Sequence, residues 1–284
     1  MSKRWLFVAA GLILVGIGGA AFYGFNFSKP LPEYRQQWTF DSGDLRDLEI
    51  SLDYQSVNID FVPSKDGTNS VRVEGKAKQE VIDRLKNVQV SDGSLIIDLD
   101  EKARWFGLSL GSFNVKQQVT VALTDEAAAA LDRLRVSSDA GSVTVNGASA
   151  RSSELSSDAG SIRVTDYEGE QLKLRSDAGT IRADNVKARL EASTDAGGIQ
   201  VQHLTGTAKL STDSGSVKLI KDDTSGADIK TDAGSVRVQL PKTFGGIYDL
   251  QTDIGSIHAP ESKHLTEDVV KVRTDVGSIH IIEE

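Results

Sequence analysis

From about residue 134 onward, apolar and polar residues alternate in short runs, and the runs recur. Leu172 and Leu174, Leu190 and Ala192, and Val270 and Val272 each stand before a turn; Val143 and Val145, Ile162 and Val164, and Val236 and Val238 each stand after one. Alternation at period two, rich in β-branched residues, predicts half-buried strands. The turns between the runs share a pattern. They begin as Ser138-Asp139-Ala140-Gly141-Ser142-Val143, Ser157-Asp158-Ala159-Gly160-Ser161-Ile162 and Ser176-Asp177-Ala178-Gly179-Thr180-Ile181. The pattern continues around Asp195, Asp213 and Asp232, and ends with Thr252-Asp253-Ile254-Gly255-Ser256-Ile257 and Thr274-Asp275-Val276-Gly277-Ser278-Ile279. Successive aspartates are 19, 19, 18, 18, 19, 21 and 22 residues apart.

Self-similarity at so narrow a period indicates a stacked architecture. Two strands of about five residues and two turns consume about 19 residues, which is one rung. A lone rung cannot bury its apolar face, so rungs stack and equivalent residues form columns. At about 4.8 Å per rung the regular part spans roughly 35–40 Å. The predicted fold class is all-β: a parallel β-solenoid, or β-helix, with rungs of 18–22 residues, its eight regular rungs filling residues 134–284. Within each turn the glycine is expected to supply a positive φ, and the aspartate to accept a backbone hydrogen bond two residues on. The second connection varies: Tyr167-Glu168-Gly169, Leu204-Thr205-Gly206, Thr224-Ser225-Gly226, Phe244-Gly245-Gly246.

Residues 41–133 read as an irregular part of the same stack. Leu48 to Ile59 and Val88 to Ile97 look like degenerate rungs, and Val71 and Val73 mark another alternating strand. Gln79 to Lys86 is a helix candidate, and Thr124-Asp125-Glu126 opens a short capped helical turn. Trp105-Phe106-Gly107 with Phe113 is expected to cover an end or edge.

Trp5 to Phe27 contains no charged residue. A run of this length crosses a bilayer as a helix, and Lys3 and Arg4 before it favour a cytoplasmic start. Residues 1–4 are therefore read as a cytoplasmic tail, 5–27 as a transmembrane anchor and 28–40 as a linker, stiffened by Pro30 and Pro32. A cleaved signal peptide is the competing reading, with Gly18 and Ala20 suiting a small-residue cleavage site. The expected localisation is the cell membrane, single-pass, with the body outside the cytoplasm.

Charge and composition narrow the chemistry. Net charge is −9, and removing Lys3 and Arg4 leaves the remainder at −11. So acidic a body excludes general nucleic-acid binding. The absence of cysteine excludes disulfides, thiolate metal sites and a thiol nucleophile. His203, His258, His264 and His280 lack metal-ligand spacing on a helix, and the serines lie in turns without a nucleophile-elbow context. The expectation is no enzyme, no cofactor and no metal; a polysaccharide-acting enzyme on a β-helix scaffold is the alternative.

Two columns stand out. Asp139, Asp158, Asp177, Asp195, Asp213, Asp232, Asp253 and Asp275 are read as a structural turn column, with a cation ladder as the other reading. Five residues further on runs a column of Thr144, Arg163, Arg182, Gln200, Lys218, Arg237, His258 and His280. Alternation points it outward, as a basic stripe for an anionic envelope polymer, carbohydrate or protein, or as a solvated face paired with local acids. The last parallel strand, ending at Glu283-Glu284, is expected to leave an open edge for a partner, guarded by Lys271, Arg273 and the two glutamates.

The anchor, the degenerate rungs, the Trp105-Phe106-Gly107 segment leading into Val119 and Val121, and the iterated Ser-Asp-Ala-Gly-Ser-Ile turn together resemble a bacterial family of unknown function. Its members are described as proposed adhesins or β-strand repeat proteins. The resemblance implies an anchored or exported cell-envelope protein, in some members tied to envelope stress. The usual turn of that family is closer to Ser-Ser-Gly-Asp; here Asp precedes Gly, so no role transfers to that aspartate. The predicted function is a non-enzymatic envelope protein presenting its solenoid for adhesion, interaction or stress-linked regulation.

Overall fold

The computed structural model describes residues 31–101 and 115–284. The expected anchor at 5–27 and the Trp105-Phe106-Gly107 segment lie outside the described residues. Among the described residues no helix is long and apolar enough to cross a membrane.

Alternating sequence becomes alternating burial, as in β7 (Arg133–Ser138) and β8 (Val143–Asn146), where every second side chain is buried. The first rung along the chain is β2 (Asp47–Leu52) with β3 (Ser56–Pro63); another is β5 (Ser94–Asp98) with β6 (Lys116–Leu123). After β7 and β8 come β9 (Ser152–Ser157), β10 (Ile162–Ala178), β11 (Ile181–Ala196), β12 (Ile199–Thr205), β13 (Ala208–Ser214), β14 (Val217–Lys221), β15 (Ala227–Ala233) and β16 (Val236–Leu240). The chain closes with β17 (Ile247–Ile254), β18 (Ile257–His258), β19 (Val269–Val276) and β20 (Ile279–Glu283).

Strands before the turns form one ladder, strands after them a second. The first runs β5-β2-β7-β9-β10-β11-β13-β15-β19-β17 and is parallel throughout. The second runs β6-β3-β8-β10-β11-β12-β14-β16-β20-β18, also parallel. The long strands β10 and β11 belong to both. Beyond β6 the second ladder adds β4 (Asn69–Lys76) and then β1 (Glu33–Phe40), both antiparallel. The core is a set of apolar columns, for example Val143, Ile162, Ile181, Ile199, Val217, Val236 and Ile279, each at most 1% exposed.

The order in space departs from the order in sequence at both ends. The β2/β3 rung lies between β5/β6 and β7/β8, and the final β19/β20 rung lies between β15/β16 and β17/β18. The last strands of the chain are therefore interior, contrary to the expected open edge at Glu283-Glu284. Three of the four expected edge guards, Arg273, Glu283 and Glu284, are engaged internally. Arg273 pairs with Asp249 at 2.6 Å, and Glu283 binds Lys263 and the Tyr248 hydroxyl, each at 2.7 Å.

The turn motif works differently from its sequence reading. Of the eight motif glycines, Gly197, Gly255 and Gly277 take the expected positive φ, at 155–158°, while Gly141, Gly160, Gly179, Gly215 and Gly234 do not. Glycine is needed there for stacking: a Cβ on Gly160, Gly179, Gly215 or Gly234 would lie 1.9–2.1 Å from the carbonyl oxygen of the preceding rung's glycine. That same carbonyl accepts a hydrogen bond from the motif's first residue. Ser157, Ser176, Thr194, Thr212, Thr231, Thr274 and Thr252 donate to the glycines at 141, 160, 179, 197, 215, 234 and 277, at 2.8–3.1 Å. These hydroxyls, mostly buried, form an internal ladder that satisfies the turn carbonyls the core would otherwise strand.

Three local expectations change. Residues 33–40, read as the end of a linker, form β1, because Tyr34 and Trp38 bury one face against β4. In the second degenerate rung, Ser91-Asp92-Gly93-Ser94 is a tight reversal at the start of β5, and the rung turn itself begins at Leu99-Asp100. The helix candidates are present as α1 (Gln79–Leu85) and α2 (Asp125–Ala130), the latter capped by the Thr124 hydroxyl accepting from Ala127 N–H at 3.3 Å.

Candidate functional site: the outward columns and the open end

Exact parallel register turns the predicted basic residues into one column on the second ladder. Asn58 stands beside Thr144, then Arg163, Arg182, Gln200, Lys218, Arg237, His280 and His258 follow rung by rung. All face solvent. The last two exchange places relative to the sequence, and their rings stack at 6.1 Å and 25°. Flanking the column on its turn side are Ser142, Ser161, Thr180, Ser216, Ser235 and Ser278. On the other side run Asn146, Thr165, Asp184 and Gln202. Among the described residues, Arg163, Arg182, Lys218 and Arg237 have no carboxylate at ion-pair distance.

The first ladder carries a different surface. Its outward column reads Glu49, Arg135, Glu154, Lys173, Glu191, Lys209, Asp228, Lys271, Asp249, a strict alternation of sign. Neighbours pair across rungs, Arg135 with Glu154 at 3.2 Å, Lys173 with Glu154 at 3.5 Å and Lys209 with Glu191 at 3.9 Å. Rung-to-rung spacing makes opposite charges directly adjacent, so this face is self-neutralised. The two faces of one stack thus differ: one has its charges matched internally, the other leaves its cations free.

The aspartate column occupies the turn corner and is largely solvent-exposed. None of its carboxylates accepts the expected turn hydrogen bond; Asp177 and Asp232 instead pair with Arg175 and Lys230 on the same strand. The hydroxyl ladder described above does the capping. Among the described residues no group of three His, Cys, Asp or Glu side chains is placed to hold a metal ion.

The ends of the stack carry what the repeat lacks. Large exposed apolar residues are Tyr54, Val62 and Ile96 toward one end and Ile254, Ile257, Leu265, Val269 and Val276 toward the other; none lies between β7 and β16. The turn position after the aspartate is Ala140, Ala159, Ala178, Ala196, Ser214 and Ala233, and becomes Val276 and Ile254 only in the last two rungs. Behind that end, Lys263 reaches the Lys242 and Phe244 carbonyls at 2.9 and 2.7 Å and Glu283 at 2.7 Å, fastening the 259–268 loop. Lys263 and the Tyr248 hydroxyl hold the Glu283 carboxyl below its ordinary value against the opposing effect of burial, the largest single influence.

Two ionisable groups in unusual settings escaped the sequence reading. Lys221 continues a buried column of Tyr167, Val186 and Leu204, and its side chain is fully buried. Its ammonium donates to the Gly206 carbonyl and to Ser225 Oγ and pairs with Asp223 at 2.8 Å. Burial lowers the Lys221 pKa. Asp100 sits near Asp53, Asp98 and Asp139; burial, then those charges, push its carboxyl up to about 6. The signal for Lys221 was its place where other rungs carry an apolar residue. A cleft near the first end, lined by Trp38, Thr39, Phe40, Asp44, Gln89, Val90, Asp92 and Gly93, offers two carboxylates and one hydroxyl.

The solved structure of a proposed adhesin from Bacteroides fragilis is similar at a TM-score of 0.51 and 13% identity, covering 88% of this chain and 97% of that one. A proposed lipid-binding protein from Parabacteroides distasonis gives 0.49 and 15%, covering 89% and 96%. A proposed cell adhesion protein from Clostridium sporogenes gives 0.25 and 12%, covering 89% and 100%. At such identities the first likeness concerns fold alone. No curated protein matches the chain. The sequence model of Toastrack DUF4097 matches residues 48–281, from the first rung of the chain to β20, and on that match the chain belongs to the Toastrack DUF4097 family.

Proposed function

We propose that the protein is a non-enzymatic, adhesion-type binding rod of the cell envelope, held at the cytoplasmic membrane by residues 5–27, whose second ladder engages a linear polyanion. One observation carries the reading: four cations, Arg163, Arg182, Lys218 and Arg237, stand in one register column without carboxylate partners, on a chain of net charge −9. A chain this acidic has carboxylates to spare, and on its other face it uses them. Unpaired cations on a column with a rung repeat of about 4.8 Å, bordered by hydroxyls and amides and by one carboxylate, Asp184, match a polymer with regularly spaced anionic groups better than a compact ligand. The name of the Bacteroides fragilis structure, a proposed adhesin, agrees with a binding role.

The test is charge reversal at Arg163, Arg182 and Arg237 in the full chain. Binding to an anionic envelope glycan should fall and lose its salt dependence, while reversal of Lys173 and Lys209 on the neutralised face should leave it intact. Equal binding by both variants would dispose of the polyanion face. A topology reporter on the same protein checks the anchor: a cytoplasmic body would contradict it.

A further inference from the structure

The C-terminal end of the stack is bare backbone and open core. β17 has β19 as its ladder partner and β18 has β20, and among the described residues no rung lies beyond them. The interior-facing Tyr248, Leu250 and Thr252 are half-exposed, whereas their neighbours Val270, Val272 and Thr274 are buried. Exposed apolar residues gather at both tips of β17. Ile254 and Val276, 68% and 51% exposed, stand at its C-terminal tip. At its N-terminal tip Val269 pairs with Ile247, and Leu265, 80% exposed, donates its N–H to the Gly245 carbonyl at 2.7 Å. The opposite end of the second ladder is closed instead, by β4 and β1.

We propose that this end docks against the same end of a second copy of the chain, β17 pairing antiparallel with its counterpart about a twofold axis at Leu250. Antiparallel pairing reverses strand direction, so the Ile254-Val276 group of each copy falls on the Leu265-Val269 corner of the other. A surface with complementary groups at the two tips of one strand is self-complementary under a twofold, which is the requirement for an isologous contact. Centring on Leu250 keeps core-facing residues opposite core-facing ones, Tyr248 against Thr252 and Leu250 against Leu250. It also sets Asp249 against Gln251 and not against a second carboxylate. A second copy supplies both a strand for the first ladder and an apolar corner for the tip that carries Ile254 and Ile257; a single extended peptide would supply the strand alone. Because the contact is isologous, each copy uses its own open end, and assembly through this surface stops at two and does not run on as a fibre.

The cysteine-free sequence makes the test direct. Leu250→Cys in the full chain, in lipid bilayers, places two thiols across the twofold, where antiparallel partners lie about 4.5–5.5 Å apart and a disulfide spans about 4.4–6.8 Å. Mild oxidation should yield a covalent dimer, Thr144→Cys on β8, far from this end, should not, and adding Ile254→Lys to Leu250→Cys should abolish the dimer without lowering the melting temperature. Dimer no more abundant at 250 than at 144, or persisting with Ile254→Lys, overturns the proposal, as does mass-spectrometric detection of a different protein at Cys-substituted position 250. The contact uses none of Arg163, Arg182 and Arg237, so its failure leaves the polyanion face untouched.

Discussion

Gly179→Ala tests the reason glycine recurs in the turn. The new Cβ would lie 2.0 Å from the Gly160 carbonyl oxygen and 2.6 Å from its carbon, whereas ordinary contacts are 3.4–4 Å. Both obstacles are backbone, so no side chain can swing aside. The two rungs must part locally by more than about 1 Å from a spacing of about 4.8 Å. That opens the Ala178 N–H to Asp158 bond of 2.8 Å and the Ser176 hydroxyl to Gly160 bond of 2.9 Å. Two lost bonds cost about 1 kcal/mol each, and overpacking adds about 1–3 kcal/mol. The sum, about 3–5 kcal/mol, lowers the melting temperature by about 6–20 °C for a body of this size. Circular dichroism of thermal unfolding reads this, with urea titration for the free energy. Ala178→Ser, one residue earlier and exposed, is the control and should stay within about 0.5 kcal/mol. A Gly179→Ala protein within about 1 kcal/mol of the parent would refute the close-approach reasoning.

Two further predictions concern buried charge. Burial, and then the neighbouring carboxylates, raise the Asp100 carboxyl from the ordinary 3.8 to about 6 in the folded protein. Its contribution to stability is therefore full below the unfolded value and lost as pH rises through 6. Asp100→Asn should raise stability at pH 8 by about 1 kcal/mol, the two-unit shift being reduced by partial solvent screening. It should change little at pH 4; an equal gain at both pH values would count against this. Lys221→Ala should cost about 3 kcal/mol by stranding Asp223, and Lys221→Met combined with Asp223→Asn should recover most of it. Melting curves decide, and an unchanged Lys221→Ala protein would show the pair to be structurally idle.

The regular rungs were readable because one hexapeptide repeats and its flanks alternate. The meaning of its letters was harder to read. Ser and Thr beside an Asp look like solvent-facing turn residues, yet Ser157, Ser176 and Thr194 point inward and cap the neighbouring rung. A hydrogen bond between rungs leaves no trace in the local sequence of either. The aspartate was given the role that the hydroxyl performs. β1 was missed because Tyr34 and Trp38 are separated by Arg35, Gln36 and Gln37, too thin an alternation to register. The rearranged rung order did leave a signal: the last two aspartate intervals lengthen to 21 and 22 residues, room for the loop that carries the chain out and back. The basic column was legible as a pattern; its lack of ion-pair partners required the opposite face to be seen.

Each terminus of the stack is laid down as a step outward followed by a step back. At the far end, β17 and β18 rest on β19 and β20, which the ribosome delivers later. The outermost rung therefore has no platform until β19 and β20 have been made. Truncation is accordingly not graded. Loss of residues 259–284 would remove the foundation of the preceding rung along with the final one, exposing β15 and β16 in a single event. Lengthening is constrained in the same way: a duplicated rung can be spliced into the uniform middle, where sequential neighbours touch, but one inserted between β18 and β19 would have to be housed among rungs that already touch out of sequence. Tolerance to insertion is thus set by the order in which neighbours along the stack are made.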